Sequence, residues 1–459
     1  METNSVYAQV RELHPRLPAQ VEVIDCTLRD GEQSPGVSFS VPEKIELART
    51  LAKAGVTVLD AGFPAASGAD REAMQAIRAL GLPVRVAATA RPLPGDVAAA
   101  EQAHATEIFM FMPTSDFRLS QTLGLSRREA ELRLLSGAED ARGRGMGVNL
   151  VFEDATRADA DWLTTVVQMV VARVPIQRVV AADTVGCAHP ASIARLFETL
   201  SRRIGTSPIL CAHCHNDFGL AGANTLATVA AGARAVTCTV NGIGERAGNA
   251  DLAETVAGLT HLYGVEHGID PLQLAELSRK VERMSGIHMS AHKPVTGFNV
   301  FRHESGVHAD GMLKDSRSYE FLPSRWLGRQ PEYVLGKHSG AAVVRELLAS
   351  AGYEADDERV KRLLTMAKRL AETRDKALHA YAYKSKVALE AQLLTSLDVE
   401  DLLLRSDEIE HRKRDVVVAA TKRAAGPSHA TQAHGVPSYA AHSSQSAVTS
   451  GSVAAPAVG

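Results

Sequence analysis

Two histidines separated by one residue, His213 and His215, follow the apolar run PILCA. On a β-strand the side chains at positions i and i+2 point to the same face, so both imidazoles can reach one cation. An H-x-H pair alone is also typical of ordinary surface or core histidines. Asp30, at the end of an earlier strand-like run, VEVIDCTLRD, favours the metal interpretation. One aspartate and two histidines can hold a divalent ion and leave coordination positions open for substrate and water.

A glycine-rich segment, NGIGERAGN at 241–249, follows another strand-like run. Gly244 and Gly248 permit a bound cofactor to approach the backbone closely, and Asn249 can add an amide oxygen to a metal shell. A C-x-x-C, Cys211 and Cys214, is a pattern of redox pairs and zinc sites. Because no second C-x-x-C is present and the pair lies inside a strand-like run, we interpret both as buried strand cysteines.

These side chains need elements that bring strand ends together. From Val21 to about Tyr263, eight strand-like runs alternate with amphipathic segments such as Glu43–Ala54, Ser126–Arg144 and Pro190–Ile204. Eight βα units in about 240 residues predict an α/β fold, a (β/α)8 TIM barrel, in preference to an open sheet. The carboxyl ends of barrel strands meet on one face, where active sites lie. The polar residues at five of these predicted ends therefore indicate one site.

The sequence divides into five parts. Residues 1–20 form an N-terminal extension, 21–270 the catalytic barrel, and 271–340 a linker subdomain that contributes to the active site. Residues 341–423 have a helical pattern, as in DERVKRLLTMAKRLAETRDKAL. Residues 424–459 are rich in Ala, Ser, Gly and Pro with almost no charge, which predicts a disordered tail.

Composition excludes several classes of protein. The 459 residues are 45% hydrophobic and carry a net charge of −3, so no basic field predicts nucleic acid or membrane as a partner. Five cysteines in so long a chain do not form a disulfide scaffold, and they indicate a reducing compartment. The sequence has no apolar run of about 18 residues, and its first residues lack the apolar core of a secretory signal. We therefore expect a cytoplasmic protein.

Longer motifs in the chain resemble the DRE-TIM metallolyase superfamily and, within it, the 2-isopropylmalate/homocitrate synthase family. The resemblance covers about Val21 to Lys376. In architecture the chain is most similar to homocitrate synthases of the nitrogenase-cofactor type. The motifs are DCTLRDGEQSPGVSFS at 25–40, HCHNDFGLAGANTLA at 213–227, NGIGERAGN at 241–249, FRHESGVHADGMLK at 301–314 and VLGKHSG at 334–340.

The resemblance implies an acyltransferase that joins the acetyl group of acetyl-CoA to the ketone carbon of a 2-oxo acid and releases CoA. The implied metal ligands are Asp30, His213, His215 and Asn249. Mixed imidazole, carboxylate and amide ligands suit Mn²⁺, Mg²⁺, Co²⁺ or Zn²⁺.

The resemblance also assigns roles to residues around that metal. It implies that Arg29 stabilises the developing alkoxide or the substrate carboxylate, and that Thr184 hydrogen-bonds this carboxylate. His308 matches a histidine that family members supply from a partner subunit, so the resemblance implies a homodimer. We expect His308 to abstract the proton from acetyl-CoA and Glu153 to orient groups or relay protons.

The identity of the 2-oxo acid stays open at this level. The EDATRAD stretch and the short architecture favour 2-oxoglutarate, and hence homocitrate synthase; GFPAAS and HCHND favour 2-isopropylmalate synthase, here without its regulatory domain. Lysine-pathway homocitrate synthases carry an arginine where this chain has Asn149. We expect Asn149 to be a substrate-binding position. Phosphonopyruvate-like acids, giving 2-phosphonomethylmalate or 2-phosphinomethylmalate, are a further alternative, with Arg91 as the cation that reaches the phosphorus group. A metal-dependent acyl-CoA lyase or carboxyltransferase and a non-catalytic scaffold are the competing classes.

Overall fold

The computed structural model describes residues 10–373, and its central feature is a closed barrel of eight parallel strands. Each strand pairs with the next in sequence, and β8 closes on β1 with Glu22 opposite Ala235. The strands are β1 Glu22–Asp25, β2 Val58–Asp60, β3 Arg85–Ala90, β4 Glu107–Pro113, β5 Gly147–Glu153, β6 Ile176–Asp183, β7 Ile209–Cys214 and β8 Ala235–Cys238.

A helix follows every barrel strand, which confirms the predicted (β/α)8 barrel. The predicted helix Pro190–Ile204 is found with the same bounds, and two others start where Ser40 and Ser126 form capping boxes with Glu43 and Glu129. The helices are α1 Val10–Leu13, α2 Val41–Lys53, α3 Gly68–Ala79, α4 Pro94–Gln102, α5 Arg127–Gly143, α6 Ala160–Val171, α7 Pro190–Ile204, α8 Ala221–Ala230, α9 Leu252–Ala257, α10 Leu274–Ser285, α11 Gly306–Lys314, α12 Ala341–Ser350 and α13 Asp357–Glu372.

The barrel interior is built in layers of side chains. Alternate residues of one strand point inward, so β5 contributes Asn149, Val151 and Glu153 in turn, whereas Leu150 and Phe152 pack against the helices. The middle layer is apolar and contains Ile24, Cys26, Val58, Ala87, Phe109, Val180, Cys211 and Ala235, with Val151 packed against them. The layer above it opens toward the carboxyl ends of the strands.

The lowest layer is a buried polar network that contains Asn149. The guanidinium of Arg178 donates to Glu22 at 2.6 Å, to Glu107 at 2.7 Å and to Asn149 Oδ1 at 2.8 Å. Asn149 is fully buried and lies four residues, or roughly 13 Å along a strand, below Glu153. Our interpretation of Asn149 as a substrate-binding position is therefore wrong, because its inward-facing side chain belongs to the opposite end of the barrel.

The residues after the barrel form a second, smaller core. Strands β9 (Arg302–His303) and β10 (Glu332–Tyr333) pair in parallel, and α11 to α13 pack around buried side chains such as Leu335, Val344 and Leu363. Helices α12 and α13 agree with the predicted helical region up to its described limit, whereas the predicted tail at 424–459 lies outside the described residues. Within 10–373, no helix is long and apolar enough to cross a membrane.

Candidate active site

A cavity of about 230 Å³ lies at the carboxyl ends of the strands, and all eight strands or the loops that follow them line it. Of the twelve residues predicted to form the site, six line this cavity: Arg29, Asp30, Glu153, Thr184, His213 and His215. These six come from β1, β5, β6 and β7, which are distant in sequence. The predicted meeting of polar strand ends is therefore confirmed for these positions.

Asp30, His213 and His215 form a tight cluster at one side of the cavity. Asp30 Oδ2 lies 3.2 Å from His213 Nε2 and 4.0 Å from His215 Nε2, and the two Nε2 atoms are 3.1 Å apart. All three residues are buried. Their ligand atoms lie close enough together to contact one metal ion, as the H-x-H spacing predicted.

A threonine determines which nitrogen of His213 faces this cluster. His213 Nδ1 lies 2.7 Å from Thr237 Oγ1, and that hydroxyl donates at 3.3 Å to the carbonyl oxygen of Ala212. Because a hydroxyl has a single proton, His213 Nδ1 must be the donor to Thr237. In that tautomer the Nε2 atom of His213 carries a lone pair on the side of Asp30 and His215, which is the state a metal ligand requires.

The charges of the cluster also suit a cation. Burial and the neighbouring His213 lower the pKa of His215 to about 4, so its imidazole is neutral near pH 7. Burial opposes the charge of Asp30, but Arg29 and His213 hold the pKa of that carboxyl well below its usual range. Asp30 Oδ2 is buried and accepts no hydrogen bond from any described residue. The ionised carboxylate of Asp30, the neutral imidazole of His215 and the Nε2 atom of His213 thus converge on one point.

Asn249 lies beside the cluster through an antiparallel bridge with His215. Its amide nitrogen donates to the carbonyl oxygen of Ile243 at 3.3 Å, while its Oδ1 is buried with no hydrogen-bond partner in the described part of the chain. An unpartnered buried amide oxygen fits a further metal ligand.

Gly244 and Gly248 have a different role from the one we expected. Neither lines the cavity. A Cβ atom on Gly248 would collide with the carbonyl oxygen of Gly242, and one on Gly244 would collide with the amide of Asn249. The two glycines therefore allow the loop after β8 to fold tightly on itself and hold Asn249, and their contact with a cofactor stays a prediction.

Arg29 reaches the cavity but is held by two carboxylates. Its Nε donates to Asp60 Oδ2 at 2.7 Å, and its Nη1 lies 3.3 Å from Asp30 Oδ1. Burial opposes its charge, yet Asp60 and Asp30 keep the pKa of the Arg29 guanidinium above its ordinary value. Thr89 donates to Asp60 at 3.0 Å and fixes this carboxylate. Sequence reasoning missed Asp60, although it ends the run TVLD much as Asp30 follows the first strand.

Glu153 and Thr184 lie on the next part of the wall. Arg118 donates to Glu153 Oε1 at 2.6 Å, and the backbone N–H of Asp154 donates to Thr184 Oγ1 at 2.7 Å. With its acceptor position used in this way, the Thr184 hydroxyl directs its own proton elsewhere, and no described residue accepts it. Thr184 is therefore available as a donor to a ligand in the cavity.

Arg91 and His308 lie away from the cavity of their own chain. Arg91 donates through two nitrogens to Asp96, at 2.8 and 2.9 Å, and its side chain is 52% exposed. Arg91 therefore does not line the cavity; its guanidinium lies 5.8 Å from the ring centroid of Phe63, which does. His308 is exposed on α11, where its ring stacks on Tyr319 with centroids 4.2 Å apart. The role of His308 in the active site of a partner subunit stays a prediction.

The C-x-x-C is not a thiol pair. Cys211 points into the barrel with the middle layer, and Cys214 packs outward against the helices, because residues three apart on a strand face opposite sides. Burial raises the pKa of the Cys214 thiol to about 12 and raises that of Cys211 as well. The interpretation as buried strand cysteines agrees with these positions.

Two family models match the chain along most of its described length. The HMGL-like model matches residues 20–281, and the model described as homocitrate synthase post-HMGL domain-like matches residues 295–375. The chain belongs to the HMGL-like family. The second match places it among the synthases of the DRE-TIM superfamily, which confirms the resemblance drawn from the motifs.

Three relatives from Methanopyrus kandleri are 41–43% identical to this chain over the stretches that align. One named (R)-citramalate synthase is 43% identical over 77% of this chain and 69% of its own. One named homocitrate synthase is 42% identical over 82% and 93%, and one named 2-isopropylmalate synthase is 41% identical over 77% and 70%. HMGL-like synthases of this kind are acyltransferases, so the expected enzyme class is confirmed. The names of these relatives specify three different acid products, whereas their identities to this chain are nearly equal.

A solved structure shares the fold of this HMGL-like chain. Hydroxymethylglutaryl-CoA lyase from Pseudomonas aeruginosa aligns with a TM-score of 0.53, over 61% of this chain and 97% of its own, at 22% identity. At that identity the likeness shows a common barrel fold alone.

Proposed function

We propose that this enzyme condenses acetyl-CoA with a 2-oxo acid and that water then hydrolyses the thioester, giving a 2-substituted malate and free CoA. The convergence of Asp30, His213 and His215 on one point at the cavity wall is the observation that carries the proposal. The names of the relatives, all of them synthases of this reaction type, support it.

We assign the metal to Asp30, His213, His215 and Asn249. Their buried, unpartnered oxygens and inward-facing imidazole nitrogens fit a divalent ion such as Mn²⁺, Mg²⁺, Co²⁺ or Zn²⁺. Such an ion supplies Lewis acidity toward the carboxylate and ketone oxygens of a 2-oxo acid.

The remaining residues of the cavity wall hold the substrate in position and polarise it. Thr184 donates its free hydroxyl proton to the substrate carboxylate. Arg29, held between Asp60 and Asp30, presents a permanently charged guanidinium beside the ketone, where negative charge develops during bond formation. Because these groups are fixed before the substrate binds, they need little reorganisation during the reaction.

Proton transfer needs a base for the weakly acidic methyl group of acetyl-CoA. We propose His308 of a second subunit for this step, since it is exposed and lies outside its own chain's cavity. Glu153 lies at the cavity wall with one oxygen held by Arg118, so its other oxygen can orient or relay a proton.

A thiol-release assay tests the proposal directly. Purified protein with acetyl-CoA and a panel of 2-oxo acids should release CoA only when an acid is present and a divalent metal is supplied. Replacement His213→Ala should abolish both turnover and bound metal, measured by elemental analysis of the purified protein. His288→Ala, which removes a mostly exposed histidine outside the cavity, is the matched control and should retain both. Full activity in the His213 variant would contradict the proposed site.

The sequence favoured 2-oxoglutarate, and therefore homocitrate, among the possible acids. The proposed function does not depend on that choice, since the metal, Arg29 and Thr184 address only the part common to all 2-oxo acids.

A further inference from the structure

The cavity has two chemically different halves. Strand order in the barrel places β4 and β5 opposite β8 and β1, so the residues of these two pairs face each other across the interior. The half formed by β6, β7, β8 and β1 carries the cluster Asp30, His213 and His215 together with Thr184. A 2-oxo acid held there by its carboxylate and ketone must direct its side chain toward the half formed by β2 to β5.

That second half presents an apolar wall beside three polar residues, Asp60, Thr89 and Glu153, whose side chains are held by Arg29, by each other or by Arg118. Phe109, Phe111 and Val151 of β4 and β5 line the cavity, together with Phe63 after β2. Phe63 and Phe111 pack edge to face with ring centroids 5.9 Å apart, which fixes both rings. Phe109 is only 4% exposed and belongs to the apolar middle layer. The floor and far side of the cavity therefore offer carbon atoms to the substrate's side chain.

Within residues 10–373, each arginine at or beside the cavity already has a carboxylate partner. Arg29 pairs with Asp60 at 2.7 Å, Arg246 with Asp217 at 2.7 Å, and Arg118 with Glu153 at 2.6 Å. Arg91 pairs with Asp96 outside the cavity.

The charges that line the cavity are unequal. Among the described residues its lining contains two guanidinium groups and four carboxylates, those of Asp30, Asp60, Glu153 and Glu245. The divalent ion assigned above would add two positive charges, but only beside Asp30, where it binds the carboxylate and ketone. A second negative charge on the substrate's side chain would lie in the other half, among aromatic carbon and the carboxylates of Asp60 and Glu153, where each described arginine is already paired.

We propose that the 2-oxo acid of this enzyme carries a short, uncharged alkyl side chain that packs against Phe109, Phe111 and Val151. The inference rests on the proposed function and names its substrate class. A distal carboxylate or phosphonate would lose its hydration without gaining an ion pair, which is costly in a closed cavity. This argument excludes 2-oxoglutarate, oxaloacetate and phosphonopyruvate as preferred substrates. Pyruvate, 2-oxobutyrate and 2-oxoisovalerate differ from one another only by methyl or methylene groups, which such a wall distinguishes weakly.

Specificity constants across a panel test this proposal. The value of kcat/KM for the best alkyl acid should exceed that for 2-oxoglutarate, oxaloacetate and phosphonopyruvate by at least about 100-fold, whereas the alkyl acids should lie within about 200-fold of one another. CoA release that is as fast with 2-oxoglutarate as with the best alkyl acid would overturn the inference and leave the proposed function intact. Release with none of the acids would overturn the proposed function and the inference with it.

Substitutions of Val151 test the wall itself. Val151→Ala enlarges the cavity at the position facing the substrate's side chain, so the ratio of kcat/KM for 2-oxoisocaproate to that for 2-oxobutyrate should rise about tenfold. Val151→Arg should raise the ratio for 2-oxoglutarate over 2-oxobutyrate by at least about tenfold, with Val151→Met as the uncharged control of similar bulk. If both ratios match those of the unmodified protein, Val151 does not contact the side chain and the assignment fails.

Discussion

At the scale of single residues, the candidate metal site depends on one hydroxyl group behind it. Thr237 accepts from His213 Nδ1 at 2.7 Å and donates to the carbonyl oxygen of Ala212. It therefore fixes the orientation of the His213 ring and the ring nitrogen, Nδ1, that carries the proton. Without that acceptor the proton could move to Nε2, where it would face Asp30 and block the lone pair. Thr237 is 5% exposed, and water cannot easily replace it.

We predict that Thr237→Val lowers metal affinity roughly 10–100-fold, because it removes the partner that orients a ligand. Metal titration by calorimetry measures this loss. Thr237→Ser keeps the hydroxyl and should stay within about threefold of the unmodified affinity. Equal affinity in the valine and serine variants would show that the hydroxyl does not set the state of His213.

At the scale of elements, the strands are joined at the lower end of the barrel by the polar network around Arg178. Its guanidinium contacts Glu22 of β1, Glu107 of β4 and Asn149 of β5, and it is 2% exposed. One buried cation thus pairs with carboxylates from two strands, and Arg85 of β3 pairs with the same two carboxylates from the outside. This end of the barrel is separated from the cavity by the apolar middle layer. Its contribution is to stability, which agrees with the general division between the two faces of such barrels.

Replacement Arg178→Ala should lower the free energy of unfolding by roughly 3–5 kcal/mol, because it removes the buried guanidinium that pairs with Glu22 and Glu107 and leaves Glu107 with Arg85 alone. Arg195→Ala, in which the lost side chain is 71% exposed, should cost less than about 1 kcal/mol. Denaturant titration followed by far-UV circular dichroism gives both values. The folded Arg178 variant should keep kcat/KM within about twofold. A much larger loss of activity at unchanged stability would contradict this division of roles.

At the scale of the whole molecule, the described chain presents a catalytic candidate that its own barrel does not use. His308 is exposed on α11, next to Val307, which is 73% exposed, and Tyr319, which is 47% exposed. Apolar side chains around an exposed histidine suit a surface that a second copy covers. A homodimer in which each subunit completes the other's site would account for this arrangement.

Complementation tests the shared site. His308→Ala and Asp30→Ala should each be inactive alone. After the two variants are mixed under conditions of subunit exchange, heterodimers should contain one intact site, made of His308 from one chain and Asp30 from the other. Activity should then recover to about a quarter of the unmodified value. No recovery, despite exchange verified by differently labelled subunits, would show that His308 does not act on a partner.

Local sequence patterns were sufficient to predict the barrel and part of the candidate site. The alternation of strand-like and helical runs predicted the barrel, since each βα unit is encoded within about 30 residues. The period of two along a strand placed His213 and His215 on one face, and the barrel's geometry brought Asp30 to them. These features depend on backbone periodicity, which neighbouring residues in the chain already determine.

The partner of each charged side chain was decided only by the tertiary structure. Asn149 faces inward, as its strand pattern requires, but its depth in the barrel places it beside Arg178. Arg91 follows β3 as expected, but its guanidinium pairs with Asp96 and does not line the cavity. A charged side chain is available to a substrate only if no oppositely charged side chain from a distant strand lies within about 4 Å of it. Such ion pairs form through space and not along the chain, so only the tertiary structure decides them.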